Sequence, residues 1–122
     1  MTPLVFVVDD DASVAGSTAR FIRSQGMRAE AFLSGEDLLN SGRAAEASCL
    51  ILDLRMPNMD GLELQQRLKE IRSAIPVIFF SAQASREEEE HALRSGAVAF
   101  LRKPVSRDDL LRAIHMAVEQ TG

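Results

Sequence analysis

Residues 50–61 read Leu-Ile-Leu-Asp-Leu-Arg-Met-Pro-Asn-Met-Asp-Gly, an apolar run that stops at a single carboxylate, Asp53. Strands of a parallel sheet are apolar on both faces because helices cover them, and Cys49 with the three residues after it fits that pattern. The Pro, Asn, Asp and Gly that follow are turn residues, which predict that the chain leaves the strand and enters a helix near Gly61. An acid at the carboxyl end of such a strand lies where open α/β sheets bind ligands.

The same order of apolar run, turn and helical spacing recurs along the chain. Strands are predicted at residues 4–8, 28–32, 49–53, 76–80 and 98–101. Helices are predicted at residues 14–22, 34–39, 61–71 and 87–94 and from 106 onward. Five alternations of strand and helix predict an α/β fold, with a single doubly wound parallel sheet and helices on both faces. The length of 122 residues predicts one domain over residues 1–122.

The amino-acid composition argues against some classes of function. The formal net charge is −4, which argues against a nucleic-acid surface because binding the phosphate backbone needs clustered Lys and Arg. No apolar run approaches the roughly 20 residues of a membrane span, and no secretory signal precedes the first strand, so we expect a cytoplasmic protein without membrane contact. Cys49 lies within an apolar strand and is expected to be a buried, inert thiol.

Polar residues end most of the predicted strands. Because connections between parallel strands are right-handed, the carboxyl ends of the strands should share one edge of the sheet. The residues expected there are Asp9, Asp10, Asp11, Asp53, Ser81 and Lys103. Close carboxylates repel each other by about 4 kcal/mol per pair at an effective dielectric constant of about 20, and a divalent cation would offset this. An oxygen-only ligand set without His or Cys favours Mg²⁺ over zinc.

A metal ion, the ammonium of Lys103 and the hydroxyl of Ser81 around Asp53 would form a site for phosphoryl transfer, in which catalysis is mostly positioning and charge neutralisation. Asp53 would then be the nucleophile that forms an aspartyl phosphate.

With these residues in this order, the chain resembles the receiver domain of bacterial two-component response regulators over nearly its whole length. The resemblance rests on Asp9-Asp10, the segment 53–61, Ser81-Ala82 and Lys103-Pro104. It implies a flavodoxin-like fold with strand order 2-1-3-4-5. It also implies a signalling switch that promotes its own phosphorylation and dephosphorylation, and not a turnover enzyme.

The resemblance assigns roles to matching residues. It implies that Asp53 is the phosphoacceptor and also a metal ligand. It further implies that Asp10 binds Mg²⁺ directly, that Asp9 binds it through water, and that the backbone carbonyl of Arg55 is another ligand.

Further roles follow from the same resemblance. Ser81 and Lys103 would hold the phosphoryl oxygens, and Phe100 matches an aromatic switch position whose ring turns inward when Ser81 moves. The implied partner is a sensor histidine kinase or a phosphotransfer protein. The face formed by the fourth helix, the fifth strand and the last helix is expected to dock either a partner or a second copy of the domain, which would then form a homodimer.

For other side chains near the expected site, the sequence predicts surroundings but no part in the chemistry. The guanidinium of Arg55 would meet either the phosphoryl group or only solvent. The run Glu87–Glu90 is expected to favour the positive end of its helix and to stay in water, in preference to forming a docking face. Met56 and Met59 are expected to pack in the interior.

Two other functions are compatible with parts of the pattern. In a haloacid-dehalogenase-like phosphatase, the loop Asp9–Asp11 would supply the nucleophile, and Ser81, Lys103 and Asp108-Asp109 would complete the motifs, but Asp53 would have no role. In a flavodoxin-like module the first loop would bind a flavin phosphate, which three acids would repel.

Overall fold

A computed structural model of the chain describes residues 2–72 and 74–121, so positions 1, 73 and 122 of the predicted domain lie outside the described residues. The predicted alternation of strands and helices is confirmed. The elements are β1 (Leu4–Val8), α1 (Ala12–Ser24), β2 (Arg28–Phe32), α2 (Gly35–Asn40), β3 (Cys49–Asp53), α3 (Gly61–Ile71), β4 (Val77–Ser81), α4 (Arg86–Arg94), β5 (Ala99–Arg102) and α5 (Arg107–Thr121). A short 3-10 helix, Ala44–Glu46, was not predicted. None of the described helices is both long enough and apolar enough to cross a membrane.

The strands that the structure describes form one parallel sheet in the order β2-β1-β3-β4-β5, which confirms the expected order. The pairing of the strands places the carboxyl ends of neighbouring strands at nearly the same level of the sheet. Val8 pairs with Leu52, and Asp53 pairs with Phe80. The residue after β1, Asp9, therefore lies beside the last residue of β3, Asp53.

Side chains alternate between the two faces of the sheet, and each face is covered by helices, as predicted. Phe6, Leu52 and Phe79 are fully buried on the face covered by α2, α3 and α4. On the other face, residues such as Ile51 and Ile78 pack against α1 and α5. The two apolar layers fix the sheet from both sides, so its carboxyl edge is a rigid platform for polar groups.

The turn after β3 is held by its polar and small residues. The Asp60 side chain caps α3 by accepting the backbone N–H of Glu63 at 2.8 Å. At Gly61 a Cβ atom would lie 2.6 Å from the carbonyl oxygen of Asp53 and 2.8 Å from the Phe79 ring, so only glycine fits. The close approach of α3 to the end of β3 thus depends on one glycine.

The sulfur-containing residues near β3 are interior residues. Met56 and Met59 are buried in the apolar layer under α3, which confirms that they pack there. Cys49 is fully buried, and burial raises the pKa of its thiol to about 12. The expected burial of Cys49 is confirmed, and the raised pKa disfavours the thiolate, which is the reactive form.

Candidate functional site

Three carboxylates meet at the carboxyl edge of the sheet. Oxygen atoms of Asp9, Asp10 and Asp53 all lie within 4.8 Å of one another. Asp9 and Asp53 are only 3% and 7% exposed, whereas Asp10 is exposed. Two of the acids are thus held inside the protein, and the third opens the group to solvent.

The loop after β1 is shaped by its own acids. Asp9 Oδ1 accepts the backbone N–H of Asp11 at 2.9 Å. The Asp11 carboxylate instead caps α1, where it accepts the N–H groups of Ser13 and Val14 at 3.0 and 3.2 Å. Asp11 was expected at the same edge, but its carboxylate serves the helix and is not part of the group of three.

Lys103 brings a positive charge to the acids from the end of β5. Its Nζ lies 3.0 Å from Asp9 Oδ2 and 3.7 Å from Asp53 Oδ1. The ammonium also lies 5.0 Å from the centre of the Phe80 ring, a cation–π contact. Asp9 and Asp53 therefore share the ammonium of Lys103, and the group of three carboxylates keeps an excess of negative charge when all three are ionised.

The electrostatics of Asp53 follow from this imbalance. Burial and then the charge of Asp9 raise the pKa of Asp53 to about 6, with a further contribution from Asp10. Lys103 and a hydrogen bond from the backbone N–H of Arg55 act in the opposite direction without cancelling the rise. The ionised carboxylate is therefore a destabilised group that a cation would stabilise.

Ser81 is the last residue of β4 and is fully buried. Its hydroxyl donates to the backbone carbonyl of Gln83 at 2.8 Å. To donate to a group on Asp53, the hydroxyl must give up this bond.

Phe100 lies inside β5, as predicted, and is half-buried. Its ring stacks on Phe79 with centroids 5.9 Å apart. The guanidinium of Arg102 lies 5.6 Å from the centre of the Phe100 ring, and also donates to the carbonyl of Ala84 at 3.0 Å. The ring therefore sits between the apolar layer and an arginine that holds the β4–α4 loop.

The guanidinium of Arg55 has a protein partner and so does not meet solvent alone. Its Nη2 lies 2.6 Å from Glu88 Oε1 in the first turn of α4. Glu89 likewise pairs with Arg102 at 2.7 Å. The expectation that the whole run Glu87–Glu90 stays in water is wrong for these two residues, because arginines on the adjoining β3–α3 loop and on β5 reach them.

Sequence reasoning missed Glu88, although a signal for part of its role is present. Ser85 and Glu88 have the Ser-x-x-Glu spacing of a capping box. In the structure the Ser85 hydroxyl accepts the N–H of Glu88 at 3.1 Å, and Glu88 accepts the N–H of Ser85 at 2.9 Å. The spacing predicts the start of α4 at residue 86, whereas the pair with Arg55 has no local sequence signal.

Comparisons with known proteins agree with this geometry. The profile of the family described as "Response regulator receiver domain" matches residues 5–115. The chain is 38% identical over 116 residues to the response regulator protein TodT of Pseudomonas putida, covering 95% of this chain and 51% of TodT. It is 40% identical over 114 residues to the transcriptional regulatory protein TdiR of Thauera aromatica, covering 93% of this chain and 50% of TdiR. The chain thus spans about half the length of these curated relatives.

A solved structure is similar over almost all of its length. It is a response regulator receiver protein from Burkholderia phymatum, with a TM-score of 0.84 and 39% identity, covering 97% of this chain and 96% of that one. The phosphatase alternative is not supported, since the matches are to this family and the Asp11 carboxylate, which that alternative needs in its loop, caps α1.

Proposed function

Since the chain belongs to the response regulator receiver domain family and is a phosphoacceptor signalling domain, we propose that Asp53 is the residue that takes up the phosphoryl group. The observation that carries the proposal is the position of Asp53: it is a buried acid, one of three carboxylates that meet at the edge of the sheet, and it lies 3.7 Å from the ammonium of Lys103. We further propose that residues 1–122 form one receiver unit that works in the cytoplasm.

In the proposed reaction a carboxylate oxygen of Asp53 attacks the phosphorus of a phosphohistidine on a sensor kinase or a phosphotransfer protein. A phosphorus–oxygen bond forms as the phosphorus–nitrogen bond breaks, and the histidine keeps the bonding electrons. Water later attacks the phosphorus, which releases inorganic phosphate and restores the carboxylate. Each transfer sets a switch once, so the domain is a signalling device and not a turnover enzyme.

The residues at the edge fit a hard divalent cation, for which we propose Mg²⁺. Asp10 and Asp53 would bind it directly, together with the backbone carbonyl of Arg55. Both oxygens of Asp9 already accept hydrogen bonds, one from Asp11 and one from Lys103, which favours contact through water. When bound, Mg²⁺ would neutralise charge on the transferring phosphoryl oxygens.

Lys103 and Ser81 are proposed to hold the phosphoryl oxygens. Lys103 Nζ already lies against Asp53, and a phosphoryl group would offer it a stronger partner than Asp9. The Ser81 hydroxyl would leave the carbonyl of Gln83 and donate to the phosphoryl group.

Movement of Ser81 is proposed to open space for the Phe100 ring. Turning inward, the ring would leave Arg102, whose contact with Ala84 helps hold the β4–α4 loop. The surface of α4, β5 and α5 would change as a result, and we propose it as the face for a partner or a second copy of the domain. Phe100 lacks a hydroxyl, so burying its ring leaves no polar group without a partner.

The test is intact-protein mass spectrometry after incubation with acetyl phosphate and Mg²⁺. The wild type should gain one phosphoryl group, and Asp53→Asn should gain none. Asp11→Asn is the matched control, because asparagine also caps helices and the variant should label like the wild type. Equal labelling of Asp53→Asn and wild type would refute the assignment, and loss of labelling in Asp11→Asn alone would favour the first loop as nucleophile.

A further inference from the structure

One oxygen of Glu88 accepts hydrogen bonds from two parts of the molecule. Oε1 accepts from Arg55 Nη2 at 2.6 Å and from the backbone N–H of Ser85 at 2.9 Å. The second bond is half of the capping box that starts α4. Arg55, on the loop after β3, is thus in direct contact with the cap of α4.

Arg55 is also close to Asp53. Only Leu54 separates them along the chain, so their Cα atoms are at most about 7 Å apart. The backbone N–H of Arg55 acts on the Asp53 carboxylate and lowers its pKa. The residue therefore joins the acid to α4, with its main chain at one end and its guanidinium at the other.

A phosphoryl group on Asp53 would compete with Glu88 for the guanidinium. It carries about 1.5 to 2 negative charges, against one on Glu88, and its oxygens match the planar fork of arginine. The Arg55 side chain is 56% exposed, so water screens the present ion pair and little holds the guanidinium in place.

We propose that Arg55 is a positioning residue that couples Asp53 to α4, exchanging Glu88 for the phosphoryl group. In the exchange, the Glu88 carboxylate, which caps α4, loses its hydrogen bond from Arg55. The helix α4 is part of the proposed docking face formed by α4, β5 and α5. This rests on the proposed function of Asp53. By thermodynamic linkage the coupling is reciprocal, so weakening the pair of Arg55 with Glu88 must strengthen binding of a phosphoryl group at the site.

The experiment measures binding of beryllofluoride, a non-covalent phosphoryl mimic, with Mg²⁺ by calorimetry. It uses wild type, Glu88→Gln, Arg55→Gln and the double variant. Glutamine at residue 88 retains a side-chain acceptor for the capping box, so α4 keeps its start. Glu88→Gln should lower the dissociation constant roughly threefold to tenfold, and Arg55→Gln should raise it by a similar factor. In the Arg55→Gln background, Glu88→Gln should have no effect.

Glu87→Gln is the control for charge, because Glu87 is exposed in the same helical turn and loses the same unit of charge. It should leave the dissociation constant unchanged. The Ser85 amide resonance is a second readout, and beryllofluoride should shift it in the wild type more than in Arg55→Gln.

Each failure points to a different part of the proposal. An effect of Glu88→Gln that persists without Arg55, or that Glu87→Gln reproduces, would overturn the coupling while leaving Asp53 as the phosphoacceptor. A wild type that does not bind beryllofluoride would overturn the proposed function as well.

Discussion

Glu30 and Asp53 are carboxylates on two strands of the same sheet, and their pKa values are displaced in opposite directions. Glu30 lies on the edge strand β2, where Arg43 donates to both of its oxygens at 2.8 and 2.6 Å. The Arg43 hydrogen bonds lower the pKa of Glu30. At Asp53, burial and the charge of Asp9 raise the pKa to about 6.

The difference shows which carboxylate has a cationic partner that it does not share with another buried acid. Arg43 pairs with Glu30, contacts Glu46 at 3.3 Å and lies 5.5 Å from the centre of the Phe6 ring. It therefore holds the segment between α2 and β3 against the sheet. Asp53 shares the ammonium of Lys103 with Asp9, and Asp10 adds a third negative charge nearby. A buried acid with a raised pKa and incompletely compensated charge is typical of functional sites, whereas the ion pair of Glu30 with Arg43 is matched within the chain.

The largest effect expected is on folding stability without metal. Asp53→Asn removes the destabilised charge and should raise the free energy of unfolding at pH 7 by roughly 2 to 3 kcal/mol, since each unit of pKa displacement corresponds to about 1.4 kcal/mol. Urea unfolding in a chelator measures this. If Asp53→Asn were less stable than the wild type, the ionised Asp53 carboxylate would not be destabilising the folded state.

Magnesium should relieve the same repulsion. At a concentration tenfold above its dissociation constant, Mg²⁺ should stabilise the wild type by about 1.4 kcal/mol, because it binds the folded state alone. Asp10→Ala should lose most of this gain, and Glu30→Gln should keep it. Thermal unfolding with and without Mg²⁺ makes the comparison, and an equal gain in Asp10→Ala would remove Asp10 from the ligand set.

Asp53 and Glu30 should change the free energy of unfolding in opposite directions as the pH falls. The pKa of Asp53 is about 6 in the folded protein against 3.8 ordinarily, so the folded state binds more protons between these values. Metal-free stability should therefore rise by about 1 kcal/mol as pH falls from 7 to 5, relative to Asp53→Asn. Glu30 acts oppositely, since its lowered pKa gives stability that is present above its ordinary value of 4.5 and is lost below it. Urea unfolding at several pH values tests this; parallel curves for wild type and Asp53→Asn between pH 5 and 7 would show that Asp53 does not titrate there.

Much of the fold and the acidic group could be predicted from sequence. Apolar runs followed by turn residues predict the strands, and the rule that parallel strands end at one edge predicts that Asp9, Asp53 and Lys103 lie together. The order of the strands came from the family resemblance, because hydrophobic periodicity carries no information on which strands are neighbours.

The pairings of long polar side chains could not be predicted. Arg55 and Glu88 are 33 residues apart, and Glu30 and Arg43 are 13 apart, so both contacts depend on how loops place an arginine. For Arg55 the sequence predicts only the phosphoryl group or solvent as surroundings, because a partner at the start of another helix has no local sequence signal.

The smallest effect is expected at Glu30 itself. The side chains of Glu30 and Arg43 are 42% and 40% exposed, so water and salt screen the pair despite its bidentate geometry. Glu30→Gln should lower the free energy of unfolding only slightly. The decrease should be little more than the uncertainty of about 10–15% in a free energy of unfolding extrapolated from urea, and added NaCl should make it smaller. Its Mg²⁺ affinity and its labelling by acetyl phosphate should equal those of the wild type. Since β1 lies between β2 and β3, a change in either quantity would mean that charge on β2 is felt at Asp53, and the two acids would then belong to one electrostatic system.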